Sequence, residues 1–115
     1  MIRTIRRAAV LAALPAALAI GVTATPASAA TIGTAYDQTN FTGNTASLDS
    51  GQSSCTDIPN MTKAFSAQNT SSSSRITLYR DSSCLVPVSI LQPSTQDDGV
   101  ITPLGIFGAE AYTST

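Results

Sequence analysis

The sequence predicts an all-β fold, a sandwich or Greek key of short strands. Three observations carry this reading. Apolar residues come in short runs of about 4–7, separated by Ser, Asn, Asp, Gly and Pro clusters that favour turns. No stretch after the first 29 residues keeps a long helical period. Finally, Tyr36 and Tyr79 stand 43 residues apart, and the same shift carries Ala35 onto Leu78, Phe41 onto Cys84 and Leu48 onto Leu91. Two copies of one strand-rich unit would fill the chain after residue 29.

The first element is an export signal. Arg3, Arg6 and Arg7 form a positive front, Ala8 to Val22 carry no charge, and Ala27-Ser28-Ala29 is a small-residue cleavage site. The apolar run is about 15 residues, short of the ~20 that a membrane-spanning helix needs. The expected organisation is a signal peptide over 1–29 and one domain over 30–115, secreted to the extracellular space, with no membrane contact after cleavage.

Within the domain, strands are expected at Thr31–Asp37, Asn44–Leu48, Ala64–Gln68, Arg75–Tyr79, Val86–Leu91, Val100–Leu104 and Ile106–Tyr112. In Ile76-Thr77-Leu78-Tyr79 the period of two sends Ile76 and Leu78 to one face and Thr77 and Tyr79 to the other. Ile58 to Thr62 is expected to hold one short helical turn. Ser71 to Ser74 reads as a polar loop. Ser, Thr, Asn and Gln supply 36 of these 86 residues, a disorder-like composition that the regular spacing of apolar runs argues against.

Charge and cysteine narrow the function. Lys63, Arg75 and Arg80 face Asp37, Asp49, Asp57, Asp81, Asp97, Asp98 and Glu110, a net charge of −4 after residue 29. Such a surface does not neutralise phosphates, so no nucleic-acid partner is expected. The chain has no His, which removes Ser-His-Asp and Cys-His catalysis and the usual zinc sites. One small core leaves little room for a catalytic cleft, and no enzyme is expected. Cys55 and Cys84, in an exported chain of this size, are expected to form a disulfide. Asn40, Asn60 and Asn69 each begin an N-x-[ST] triplet, which a Ser/Thr-rich chain produces freely.

Tyr36-Asp37-Gln38-Thr39-Asn40-Phe41-Thr42-Gly43 reads Y-D-x-x-N-F-x-G. It resembles the opening of a β/γ-crystallin Greek-key motif, with Phe65-Ser66-Ala67-Gln68-Asn69 resembling its later part and Arg75 to Asp81 the first strand of a second motif. The resemblance covers about residues 32–112. It implies a single two-motif domain in which Tyr36 packs beneath a folded hairpin, Gly43 takes a backbone angle that a Cβ would forbid, and Ser66 closes the hairpin by hydrogen bonding. The second motif is degenerate. Val86 stands at the Gly43 position, Cys84 at the Phe41 position, and Thr102 is the best candidate for its closing hydroxyl.

Many members of that family bind calcium through a stretch resembling [ND]-[ND]-x-x-[ST]-S. Met61 to Ser66 has lost both leading oxygen donors. Asp97-Asp98-Gly99-Val100-Ile101-Thr102 keeps both acids but places Ile101 at the hydroxyl; it reads as an acidic turn, or a weak calcium site that is mostly unoccupied. A narrower resemblance is to secreted actinobacterial metalloproteinase inhibitors, which present a Cys followed by an apolar residue on a tethered loop. Ser83-Cys84-Leu85-Val86-Pro87 occupies the comparable place here, although the second loop cysteine of that family is missing near Ser89. The resemblance implies a monomeric, cofactor-free inhibitor of an extracellular protease, docking the loop as an extended substrate strand with Leu85 in an apolar pocket. The alternatives are a calcium-stabilised structural or stress protein and a killer-toxin-like secreted protein.

Overall fold

The computed structural model describes residues 29–115. The expected export signal lies outside the described residues apart from its last, Ala29. Eight strands and one helix follow in order: β1 Thr31–Tyr36, β2 Thr45–Asp49, β3 Thr56–Asp57, β4 Ser66–Asn69, β5 Ile76–Tyr79, β6 Pro87–Leu91, β7 Gln96–Asp97, α1 Pro103–Phe107 and β8 Ala111–Ser114. They build two four-stranded antiparallel sheets, β2-β1-β4-β7 and β3-β8-β5-β6. Each half of the chain gives three strands to one sheet and its third strand to the other. The all-β, two-layer class expected from the sequence holds.

The period of two sorts side chains as expected. Ala46 and Leu48 of β2 are buried between exposed Thr45 and Ser47, and Ile76 and Leu78 of β5 are buried beside half-exposed Thr77 and Tyr79. Ala46, Leu48, Ile76 and Leu78 join Ile32, Ala35, Ile58, Ala64, Ala67, Val88, Leu91, Leu104, Ala109 and Tyr112 in one core. Five of its members are alanines, which lets the layers approach closely. Tyr112 is the largest fully buried side chain. Its hydroxyl accepts from the Asp49 N–H at 3.0 Å, satisfying the one polar atom that its burial would otherwise strand, and burial pushes its phenol above the usual range.

The internal repeat is visible in the hydrogen bonds. The Asn69 N–H donates to Thr95 O and the Ser114 N–H to Gln52 O, at 2.9 and 2.8 Å. Asn69 Nδ2 donates to Gln92 O at 3.1 Å, and Ser114 Oγ donates to Asp49 O at 2.6 Å. Thr95 and Gln52, like Gln92 and Asp49, are 43 residues apart. Asn69 and Ser114 are thus equivalent buried polar residues, each ending one strand and tying down a loop from the other half. Ala64 and Ala109 form an antiparallel bridge on themselves, with both N–H···O bonds at 2.8 Å, where the two halves meet. Because Phe65 N–H donates to Tyr36 O and Glu110 N–H to Tyr79 O, the ends of β1 and β5 both lie beside this bridge. The hairpins that follow them therefore emerge at the same end of the sandwich.

The second half corrects several expectations. Val100–Leu104 is not a strand. Val100 and Ile101 are exposed loop residues, and Pro103–Phe107 is helical. Thr102 caps that helix by accepting from the Gly105 N–H, Pro103 opens it, and Gly108 (φ 76°) ends it. The expected strand over Ile106–Tyr112 is accordingly split, and β8 starts only at Ala111. The two-residue strands β3 and β7 were not expected; both are polar and too short to show a period. Ile58 to Thr62 forms a turn with Asn60 at φ 65° instead of a helical turn. Ser71 to Ser74 is a loop, as read.

Candidate functional site

Hairpin 1, between β1 and β2, is folded back on the sheet. Ser66 Oγ donates to Gln38 O at 2.6 Å and accepts from the Phe41 N–H at 3.0 Å. Tyr36 and Phe41 meet edge to face with centroids 5.7 Å apart. Asn40 and Phe41 are left-handed and Gly43 sits at φ 87°. A Cβ on Gly43 would collide with Asp37 Oδ1, the oxygen that accepts from the Asn44 N–H at 2.8 Å. Tyr36, Phe41, Gly43 and Ser66 therefore cooperate in one hairpin.

Hairpin 2, between β5 and β6, is the counterpart after Tyr79. Tyr79 ends β5 as Tyr36 ends β1, and Cys84 is left-handed at φ 56° where Phe41 has φ 58°. The closing device differs. Register places Ala111 opposite Tyr79 as Ser66 lies opposite Tyr36, so the second half has no closing hydroxyl. Thr102 does not supply one; its hydroxyl donates to Asp97 Oδ1 at 2.8 Å. A carboxylate does the work instead. Asp81 Oδ1 accepts from the N–H groups of Leu85 and Val86, both at 3.0 Å, and Oδ2 lies 3.2 Å from the Leu85 N. The Val86 N–H, with the Leu85 N–H, holds the Asp81 carboxyl below the usual carboxylate range.

The Cys55–Cys84 disulfide, with a Cα separation of 5.7 Å, clamps this hairpin to the segment before β3. Between the two clamps Leu85 stands 78% exposed, followed by exposed Val86 and Pro87. Cys84 is left-handed, and the Leu85 and Val86 N–H groups are already engaged by Asp81. The Val86 carbonyl accepts from the Arg80 N–H at 2.8 Å. The loop is a tight turn, which corrects the expected extended strand. It offers a partner side chains, not a free backbone edge.

Further exposed apolar residues collect at the same end. The Arg80 guanidinium lies over the Phe107 ring at 4.4 Å, tying α1 to the base of hairpin 2. Lys63 Nζ donates to Phe107 O at 3.3 Å and lies 3.8 Å from Glu110. The Asp98–Ile101 loop packs on hairpin 1, with the Asn40 N–H donating to Asp98 O at 2.8 Å. Leu85, Val86, Val100, Ile101, Ile106 and Phe107 thus share one end, while Ile90 of β6 is exposed on the flank.

The Asp97 carboxylate is engaged through both oxygens, whereas exposed Asp98 is engaged through one. Asp97 Oδ1 accepts from the Gly99 N–H and the Thr102 hydroxyl, and Oδ2 from the Ser89 hydroxyl at 2.8 Å. Asp98 Oδ1 accepts from the Val100 N–H at 2.9 Å. Among the described residues no three His, Cys, Asp or Glu side chains are grouped to hold a metal ion. Asp97 and Asp98 line, with Ile90, Gln92, Gln96 and others, an open groove of about 560 Å³ at the β6 and β7 edges. Asn69, one of the three triplet asparagines, is buried and spends its amide on the carbonyls of Ser74, Leu91 and Gln92, which leaves it closed to modification in the folded domain. The sequence reading gave neither the stapling role of Asp81 nor the exposure of Ile101 and Phe107. A carboxylate four residues before an apolar pair was the only available signal for Asp81. No family model, curated protein or solved structure matches this chain.

Proposed function

We propose that this chain is a secreted, monomeric, β/γ-crystallin-like Greek-key protein that inhibits an extracellular protease through hairpin 2. For the family-level fold, the support is the strand order. The third strand of each half lies in the sheet of the other half, and the two folded hairpins carry left-handed residues at matching positions. For inhibition, one observation carries the reading: Leu85 is an exposed apolar side chain on a turn fixed from both sides, by the disulfide and by Asp81.

The mechanism is side-chain insertion. Leu85 enters an apolar pocket of the enzyme, and burying such a side chain is worth about 1.5–3 kcal/mol. Because the turn is already fixed, little ordering entropy is lost on binding. The engaged N–H groups of Leu85 and Val86 cannot pair with the enzyme as a substrate strand does, so the Cys84–Leu85 bond is not presented for cleavage. The reading needs no cofactor, and the Asp97 carboxylate, engaged at both oxygens by protein donors, gives no support to a calcium-dependent role. The test is titration of a thermolysin-like and a subtilisin-like protease with the folded protein. Stoichiometric inhibition of one of them, without cleavage in the loop, is the expected result; no inhibition of either would overturn the reading.

A further inference from the structure

Ile101 is 91% exposed, the most exposed large apolar residue of the described chain. It is also left-handed, at φ 60°, a conformation that strains a β-branched side chain. Glycine or asparagine would hold the same turn with less strain. The turn itself is tightly built. The Asp97 carboxylate takes the Gly99 N–H and the Thr102 hydroxyl, the Asp98 carboxylate takes the Val100 N–H, and α1 begins at Pro103 immediately afterwards. Ile101 therefore stands four residues after a stapling aspartate, as Leu85 does, and at the same end of the sandwich. The two sites differ in charge. Arg80 lies at the base of hairpin 2, whereas Asp98 beside Ile101 is exposed and none of the described cations makes an ion pair with it; the one such pair is Lys63–Glu110. Asp37 lies on hairpin 1, which packs on the same loop.

We infer that Ile101 is a second anchor for the protease engaged by Leu85, seated in an apolar subsite rimmed by basic side chains. The inference rests on the inhibitor reading and extends it: the enzyme surface is contacted at two points, and its second subsite carries the charge opposite to Asp98. Two fixed apolar anchors share the cost of association, so each raises affinity without ordering new chain. The acidic rim speeds encounter with a basic partner and makes the on-rate fall with salt.

The test uses the complete folded domain and the same two proteases. Ile101→Gly and Ile101→Asn relieve the left-handed strain, so both should melt at or above the wild-type temperature. Both should weaken inhibition by about tenfold or more. Asp98→Asn keeps the acceptor for Val100 and should flatten the salt dependence of association. If both Ile101 variants inhibit like wild type while Leu85→Asp does not inhibit, the second anchor is wrong and the inhibitor reading stands. If wild type inhibits neither protease, both fall together. Loss of the fold in both variants would make Ile101 a structural residue and would also overturn the inference, and salt-independent association of the wild type would remove the basic rim.

Discussion

At Asp81, the N–H groups of Leu85 and Val86 converge on one carboxylate and lower its pKa. A carboxyl whose folded pKa is depressed contributes stability that is complete above its ordinary value, about 3.9. That contribution is lost as pH falls through the lower folded value. Hairpin 2 should therefore keep its shape at neutral pH and loosen only in acid, below about pH 4. The amide resonances of Leu85 and Val86, followed by NMR from neutral to acid pH, should shift together with the Asp81 carboxyl. Asp81→Asn retains one acceptor and removes the charge, so it should weaken inhibition at pH 7 and abolish that joint titration. Unchanged amide shifts through the acid range would show that the carboxylate does not hold the turn. Sequence alone could not give this role, because an aspartate in a polar turn has many local partners and geometry selects among them. Tyr36, Phe41, Gly43 and Ser66 were legible through the resemblance of Y-D-x-x-N-F-x-G and the later Phe65-Ser66 stretch to a known hairpin motif, which implied their shared role. Thr102 was misjudged because the strand register that puts Ala111 at the closing position runs through a helix that the sequence reading took for a strand.

At the scale of elements, that helix shows which of two sequence signals prevailed. Val100, Ile101 and Leu104 suggested a strand by hydrophobicity. In the structure Thr102 caps the helix, Pro103 opens it and Gly108 ends it, and this capping chemistry overrides the apolar run. The helix also needs close backbone contact, since a Cβ on Gly105 would run into Gly99. Gly105→Ala should destabilise the domain by about 1–3 kcal/mol through overpacking, read as a lowered chemical-denaturation midpoint; an unchanged midpoint would mean that the contact is loose. The strands β2 and β5 were legible from buried apolar pairs two residues apart, whereas β1 and β6 carry buried apolar pairs three residues apart and were located by their short, turn-bounded apolar runs. β3 and β7 were invisible because two polar residues show no period, and only pairing with β8 and β4 defines them. The disulfide joins hairpin 2 to the lead-in of β3 across 29 positions. Cys55→Ser should cost about 2–5 kcal/mol of stability and weaken inhibition further by freeing hairpin 2. Thermal melting with and without reductant checks the first part, and equal melting temperatures would contradict a structural disulfide.

At the scale of the whole molecule, a domain of this size sits where one small core gives marginal stability, and this core relies heavily on alanine. Reciprocal ties between the halves, through Asn69, Ser114, the Ala64–Ala109 bridge and the disulfide, supply what bulk does not. The 43-residue echo was legible in the sequence. Its change to 45 for Ala64 with Ala109 and for Asn69 with Ser114 was not, because a two-residue offset is hidden in polar loops. Calorimetry with calcium should give millimolar binding or none, since protein donors already occupy the Asp97 carboxylate; a micromolar isotherm lost in Asp97→Ala would show that the turn opens for the ion. The central claim concerns Leu85 and is reached most directly by one paired measurement. Wild type and Leu85→Asp are melted, then each is titrated against a thermolysin-like and a subtilisin-like protease. Because Leu85 is exposed, the variant should melt like wild type, and because a carboxylate is costly to desolvate in an apolar pocket, it should no longer inhibit the protease that wild type inhibits. Equal inhibition by both proteins, or none by folded wild type, would contradict the claim.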